Sequence, residues 1–353
     1  MSTATTTITA QPVVGTLKLR TEAEASPDYL KELYTKGYVV VPNVIPQERA
    51  AGYVSDANEW LKGFNKGFDI NDKSTWNVDN LPPHFRGGLY NALGVGHEDL
   101  LWRIRLEPGL IDVFSKIWGT DELLVSFDGA NFSVPLPPSQ IQNAGAPWPH
   151  VDQSPLKRNM ECIQGIANLA PNGENDGGLM ILDGSFPLYN EFIDAHDDDQ
   201  PEGGWPKIDS YHHTPKQLQW FYDRGCTWKK ICAPAGSLIL WESRTIHYGA
   251  APKEGANPRY ATCESSAILE RLSKPDAVQP PILDVCYKPA AHCPPAHIEE
   301  RKAAIREYTN MSHNPCDARA VPKRFADVRE KPSKPFDFES NERARKLAGL
   351  ASY

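Results

Sequence analysis

Apolar residues in the first third of the chain recur at helical spacing, and after Gly119 they contract into short runs bounded by Gly, Pro, Asn or Asp. The pattern predicts a helix that ends at Gly37, with Ser26 in the N-cap position and Pro27 in its first turn. "YVVVP" at 38–42 reads as a short buried strand. In "PQERAAGYVSDANEWL", Ala50, Tyr53, Val54, Ala57, Trp60 and Leu61 share one helical face. "PGLIDVFSKIWG" does the same with Leu110, Val113, Phe114, Ile117 and Trp118, and Gly119 stops it. The Gly-, Asn-, Asp- and Pro-rich stretch 62–100 between them reads as a long insertion.

Beyond Gly119 the strand candidates are "ELLVSFDGANFSV", "ECIQGIANLA", "GLMILDG", "TWKKICAP", "SLILWES" and "RYATCESSAIL", joined by the stretch around His150. No helical pattern alternates with them, so a βαβ sheet is not expected. Helices followed by a block of strands imply an antiparallel sandwich or jelly roll with the helices on one outer face. A polar insertion of about forty residues, including "DAHDDDQPEGGWP", separates "GLMILDG" from "TWKKICAP". The expected organisation is a loose tail over 1–20 and one domain over 21–353: a helical part 21–119, a jelly-roll core 120–275 and a Pro-rich extension 276–353, with one helix near "HIEERKAAIREYT".

Composition narrows the function classes. A net charge of −8 and a pI near 5.7 argue against nucleic-acid binding. Seven scattered cysteines without a Cys-x-x-Cys imply no disulfide framework and a reducing, cytoplasmic setting. The start "MSTATTTITAQPVVG" has neither a basic end nor an apolar stretch, so no signal peptide is expected, and no apolar run is long enough for a membrane span. The expected partner is a small molecule, neither nucleic acid nor membrane, and the oligomeric state is left open.

His-x-Asp occurs three times, at His97/Asp99, His150/Asp152 and His196/Asp198, where composition alone predicts on the order of one. Within "HDDDQPEGG", His196/Asp198 reads as a solvated loop, since consecutive acids repel one another. His97/Asp99 opens "HEDLLWRI" and reads as a helix start, where acids favour the dipole and residues two apart share no face. His150/Asp152 follows Pro147 and Pro149, which impose extended backbone. In a strand, residues two apart point to the same side, about 6.6 Å from each other. A third ligand is offered by His247, at the end of "SLILWESRTIH" and 95 residues after Asp152. Two imidazoles and one carboxylate on one face of an octahedral ion suit non-haem Fe(II) that activates O2.

Arg259, twelve residues after His247 in "NPRYATC", is expected beside it across a hairpin, facing the same interior. A buried guanidinium needs an anion, and a 2-oxo acid with a second carboxylate at its far end meets that need. Gln164 either steadies such an acid or faces outward. Asp128 and Asn131 face the cavity or satisfy a bend at Gly129. Trp148, Tyr90, Trp220, Phe336 and Phe338 shape a pocket or fill the core. Tyr211-His212-His213 reads as surface, and Cys286, Cys293 and Cys316 with His292 and His297 match no zinc spacing.

The set "HVD", "GGLMILDGS", "GSLILWESRTIH" and "NPRY" resembles the phytanoyl-CoA dioxygenase-like family of Fe(II)- and 2-oxoglutarate-dependent oxygenases, over roughly 30–270. The resemblance implies a mainly β double-stranded β-helix with flanking helices. It also implies Fe(II) on His150, Asp152 and His247, with O2 as co-reactant. The distal carboxylate of 2-oxoglutarate then falls to Arg259. The family's usual "PGSH" is "DGSF" here, at Asp183 to Phe186, and its usual "GD" is Gly236-Ser237. Because related halogenases replace the carboxylate ligand by a small residue, Asp152 argues against halogenation. With no basic cluster for the phosphates of CoA, the expected role is oxidation of a small organic substrate in secondary metabolism, by hydroxylation, desaturation or cyclisation. The alternatives are a non-catalytic metal- or 2-oxo-acid-binding jelly roll and a cupin-type isomerase, and an isomerase has no need of Arg259.

Overall fold

The computed structural model describes residues 27–353 except 86, 141–146, 254, 263–284, 318 and 322–328. Helices α1 (Asp28–Lys36), α2 (Gln47–Lys62), α3 (Asp99–Arg105) and α4 (Pro108–Trp118) make up the N-terminal part. Of the face assigned from sequence to α2, Ala50, Tyr53, Ala57, Trp60 and Leu61 are buried, and α4 buries Leu110, Val113, Phe114 and Ile117. Gly37 ends α1 at φ 82°, its N–H bonded to the Leu33 carbonyl, a left-handed cap that glycine adopts without strain. The N-cap of α1 is Pro27, and Ser26 lies outside the described residues.

The strands are β1 (Tyr38–Val41), β2 (Leu89–Tyr90), β3 (Leu123–Val125), β4 (Ala130–Ser133), β5 (His150–Val151), β6 (Ile163–Asn168), β7 (Gly178–Asp183), β8 (Tyr211–His212), β9 (Thr227–Lys230), β10 (Ser237–Glu242), β11 (His247–Ala250), β12 (Arg259–Thr262) and β13 (Val285–Pro289). One sheet runs β1-β10-β6-β12-β4-β2, with β13 pairing β6 and β3, and the second runs β8-β5-β11-β7-β9. This is a jelly roll. Along β6, Asn168 and Ala167 pair with β12 while Gly165 and Gln164 pair with β13, so these two strands lie in line on the same flank. Of "RYATCESSAIL", Arg259–Thr262 form β12, and 263–269 fall outside the described residues.

Central strand β10 is buried throughout because both faces are covered. Leu238 and Leu240 join the core under the helices, whereas Ile239 and Trp241 join Ile166, Leu179, Ile181 and Ala261 between the sheets. A third cluster lies beneath α5 (Tyr189–Ala195) and α6 (Pro215–Tyr222), where Phe192, Leu218 and Phe221 pack against Val151 and Leu182. These helices and β8 lie in the stretch that reads as a polar insertion. Among the described residues, no helix is long and apolar enough to cross a membrane.

Near the C-terminus, α7 (Pro295–Glu307) and α8 (Glu342–Ala348) are locked to the sandwich by one side chain. Arg301 is fully buried and donates to the carbonyls of Val125 (2.7 Å), Leu347 (3.1 Å), Ala348 (3.2 Å) and Pro315 (3.2 Å). Two of these acceptors end α8, where the helix dipole favours a cation. Burial still draws this guanidinium down to about 10. Arg301→Met leaves several buried carbonyls without a donor. It should lower stability by about 2–4 kcal/mol, read as a shift of the urea midpoint at unchanged slope.

Candidate metal centre

The apolar run of β10 ends at Glu242, and Ser243–Ile246 carry the chain across to the second sheet. His247 therefore opens β11 instead of closing the preceding strand, a correction to the sequence reading. Its register partner on β5 is His150. A bend tied on every side fixes this crossing. Ser243 receives the Asp152 N–H on its carbonyl (2.9 Å), donates its own N–H to Cys162 (3.0 Å), and donates its hydroxyl to Gln153 (2.8 Å). Thr245 donates to the Gly37 carbonyl (2.9 Å).

His150, Asp152 and His247 each offer an atom within 4.8 Å of the others, and all three are essentially sealed from solvent. His247 Nε2 lies 3.1 Å from Asp152 Oδ2, and His150 Nε2 lies 3.6 Å from Oδ1. Each imidazole has its other nitrogen on a backbone carbonyl, His150 Nδ1 on Trp148 (3.1 Å) and His247 Nδ1 on Thr245 (2.9 Å). With Nδ1–H donating, Nε2 carries the lone pair, the tautomer a metal takes. His150 Nε2, His247 Nε2 and Asp152 Oδ1 are buried without a hydrogen-bond partner. Such groups are costly unless something fills the space between them.

Burial lowers the His150 pKa and keeps the ring neutral. Burial would raise Asp152, but the neighbouring His150 and then His247 hold its carboxyl well below the usual range. A neutral–anionic–neutral donor set fits a divalent first-row metal with open positions.

The structure relocates several residues singled out from sequence. Gln164 donates to Asp152 Oδ2 (3.0 Å), which makes it a support for the carboxylate. Arg259 does not sit beside His247 across a hairpin: β12 lies in the opposite sheet, and Arg259 pairs with Ser133. It is buried, two residues before Ala261 of the inter-sheet cluster, and so faces the same interior. Burial, and then the charge of Arg259 nearby, pull Lys230 down to about 8, so two cations share this region.

His97/Asp99 does stand at a helix entry, with Asp99 in the first turn of α3, and His97 just before it is enclosed. It is buried, bonds Thr309 O through Nε2 (2.8 Å), and burial lowers it to about 4. His196 is also buried, with Nδ1 on Phe192 O (2.8 Å), although Asp197, Asp198 and Asp199 beside it are exposed as expected. Tyr211-His212-His213 is not surface, since Tyr211 and His213 are buried and β8 pairs with β5. The rings of Trp148 and His212 both stack with that of His150, at centroid separations of 4.4 and 5.4 Å, and lie 6.4 Å from each other. By contrast, Tyr90, Phe336 and Phe338 pack in or against the core under the helices, and Trp220 packs beside Phe192. Asp128 is buried and Asn131 accepts from Ser133. Among the described residues, the triad is the group able to hold a metal, and the cysteines at 286, 293 and 316 form none.

No family model matches the chain. The Ava biosynthesis cluster protein O of Aspergillus versicolor is 40% identical over 260 residues, covering 70% of this chain and 81% of that protein. The Dictyostelium discoideum protein named "Putative phytanoyl-CoA dioxygenase" is 24% identical over 265 residues, covering 64% and 70%. In fold, the GlcNAc Inducible Gene 2 protein of Candida albicans is similar at a TM-score of 0.56 and 14% identity, covering 93% of this chain and 77% of that one. The chain belongs to the phytanoyl-CoA dioxygenase-like family of Fe(II)- and 2-oxoglutarate-dependent oxygenases. It is accordingly an oxygenase-type enzyme.

Calorimetric titration with Mn(II) checks the donor set. His150→Ala, Asp152→Ala and His247→Ala should each weaken binding at least about 100-fold, and Gln164→Leu about 10-fold, because outer partners orient the ligands. His196→Ala and His97→Ala should bind as the parent does, the latter at a lower melting temperature because its tie to Thr309 is lost.

Proposed function

We propose that the protein is an Fe(II)- and 2-oxoglutarate-dependent dioxygenase that oxidises a small organic substrate in a biosynthetic pathway. The observation that carries this reading is the convergence of three sealed, unpartnered donor atoms, His150 Nε2, His247 Nε2 and Asp152 Oδ1. The biosynthetic setting is supported by the relative from a biosynthesis cluster.

In this reading His150 and His247 are held in the ligating tautomer by the carbonyls of Trp148 and Thr245. The Trp148 ring, at 14° to the His150 ring, limits its rotation. Gln164 keeps one carboxylate oxygen of Asp152 engaged and leaves the other for the metal. Arg259 binds the far carboxylate of 2-oxoglutarate as a bidentate donor, and Lys230 adds positive charge nearby. Ile166, Ile181, Ile239 and Trp241 between the sheets keep the interior poor in water, which strengthens each of these contacts. Bound there, Fe(II) supplies O2 activation coupled to oxidative decarboxylation of 2-oxoglutarate to succinate.

The test is succinate formation from 2-oxoglutarate under air with Fe(II) and ascorbate, stimulated by a metabolite extract and accompanied by a product changed by one oxygen or two hydrogens. Absence of both succinate and such a product would sink the reading. Arg259→Gln should raise the Michaelis constant for 2-oxoglutarate about 30-fold or more, since loss of a buried charge contact costs roughly 2–5 kcal/mol. Metal affinity should stay unchanged. An unaltered constant would show that the cosubstrate is anchored elsewhere.

A further inference from the structure

Two thiols meet in the C-terminal extension. Cys293 closes the single helical turn Ala290–His292 that follows β13, with its N–H on the Ala290 carbonyl (3.0 Å). Its Sγ lies 3.9 Å from the carbonyl of Pro315, the residue before Cys316. Cys316 reaches back the other way, its Sγ 3.7 Å from the carbonyl of Pro289, where the same turn begins. The two side chains thus cross between the same two backbone segments, and the Cys316 thiol donates to the sulfur of Cys293. Both are free thiols in the structure.

The surroundings of Cys293 are cationic. The Pro315 carbonyl that faces its thiol also accepts from Arg301 Nη1 (3.2 Å), so a fully buried guanidinium and the thiol meet at one oxygen. Cys293 lies just ahead of the N-terminus of α7, the positive end of that helix's dipole. His297 in the first turn, itself paired with Glu300 (2.8 Å), and the buried Lys288 add to the field. Donation from Cys316, and then these charges, draw the Cys293 thiol down to about 7 against the opposing effect of burial. Cys226 and Cys232 show the ordinary behaviour of enclosed thiols, since burial pushes both up. Cys316 is held protonated as the donor, and it is buried while Cys293 is partly open to solvent. An accessible sulfur of thiolate character beside a second, sheltered thiol is the arrangement of a nucleophile and the sulfur that resolves it.

We propose that Cys293 and Cys316 form a reversible redox-active dithiol, which a hydroperoxide oxidises to a disulfide and a small thiol such as glutathione reduces. The Cys293 sulfur attacks one oxygen of hydrogen peroxide: an S–O bond forms, the O–O bond breaks, the sulfur loses two electrons and the other oxygen leaves as water. Cys316 then attacks that sulfur, so that an S–S bond forms, the S–O bond breaks, and the hydroxyl leaves as water with the thiol proton of Cys316. Two thiols and one peroxide thus give one disulfide and two waters. Two molecules of the small thiol reverse the step by exchange and leave as their own disulfide. The bridge ties the start of α7 to the segment around Cys316, which Arg301 already holds through Pro315. It needs no metal and stands apart from the oxygenase reading.

The full-length protein is labelled with iodoacetamide over a pH series, and each cysteine peptide is followed by mass. The rate at Cys293 should be half-maximal near pH 7. At that pH it should exceed the rate at Cys232, the other described thiol partly open to solvent, at least about fivefold. Hydrogen peroxide, with EDTA present to hold trace iron, should join the Cys293 and Cys316 peptides with loss of two hydrogens, and glutathione should restore both thiols. In Cys316→Ala, peroxide should leave Cys293 as a sulfenic acid that dimedone traps, and the midpoint of its alkylation should move to higher pH because the donor is lost. In Cys293→Ala, Cys316 should resist peroxide. Alkylation of Cys293 no faster than that of Cys232, or peroxide treatment that leaves the two peptides unjoined, overturns the proposal, and both are read on the parent protein whether or not the variants fold. So does a bridge from Cys293 to any other cysteine, or one that glutathione fails to open.

Discussion

The antiparallel pairing of His247 with His150 is the contact on which the site depends. It exists because the chain leaves the first sheet at Glu242 and enters the second at His247, within four intervening residues. Ser243 is hydrogen-bonded to Asp152, Gln153 and Cys162 at once, so the crossing and the carboxylate ligand are positioned by the same bend. The donor triad is thus a product of backbone pairing and needs no flexible loop to assemble. Sites on paired strands hold their geometry more tightly than sites on loops, as metal coordination requires.

The buried charges divide by how the fold treats them. Arg301 and Arg105 are enclosed and supplied with backbone carbonyls, Arg105 with those of Gly96 and Asp128, and through them the helical parts are tied to the sandwich. The triad is treated differently: His150 Nε2, His247 Nε2 and Asp152 Oδ1 are buried without a hydrogen-bond partner. Satisfied polar groups in a core specify structure, whereas unsatisfied ones that survive at a common cavity are the ordinary signature of a ligand site. The C-terminal extension is fastened by Arg301, and its buried His313 lines a small polar cleft with Asp209 and Asn314.

Much of this was legible in local sequence. Helical periodicity in α2 and α4 marked the faces that pack on the sheet, and the double apolar coating of β10 appeared as an unbroken run. The spacing of His150 and Asp152 after two prolines pointed to a shared side of the chain, although β5 ends at Val151 and Asp152 lies in the bend beyond it, and the inward face of Arg259 followed from the cost of burying a guanidinium. These features depend on residues a few positions apart, so period and dihedral preference determine them. Which sheet a strand joins does not. The assignment of β11 to the second sheet, the line of β12 and β13 along β6, and the place of β8 beside His150 follow from long-range pairing. Burial of His97, His196 and His213 depends on what later segments lay over them, and their local sequence is polar. Arg259 is the clearest case: its position twelve residues after His247 is local, but only the long-range pairing of β12 with β4 and β6 puts it in the sheet opposite His247.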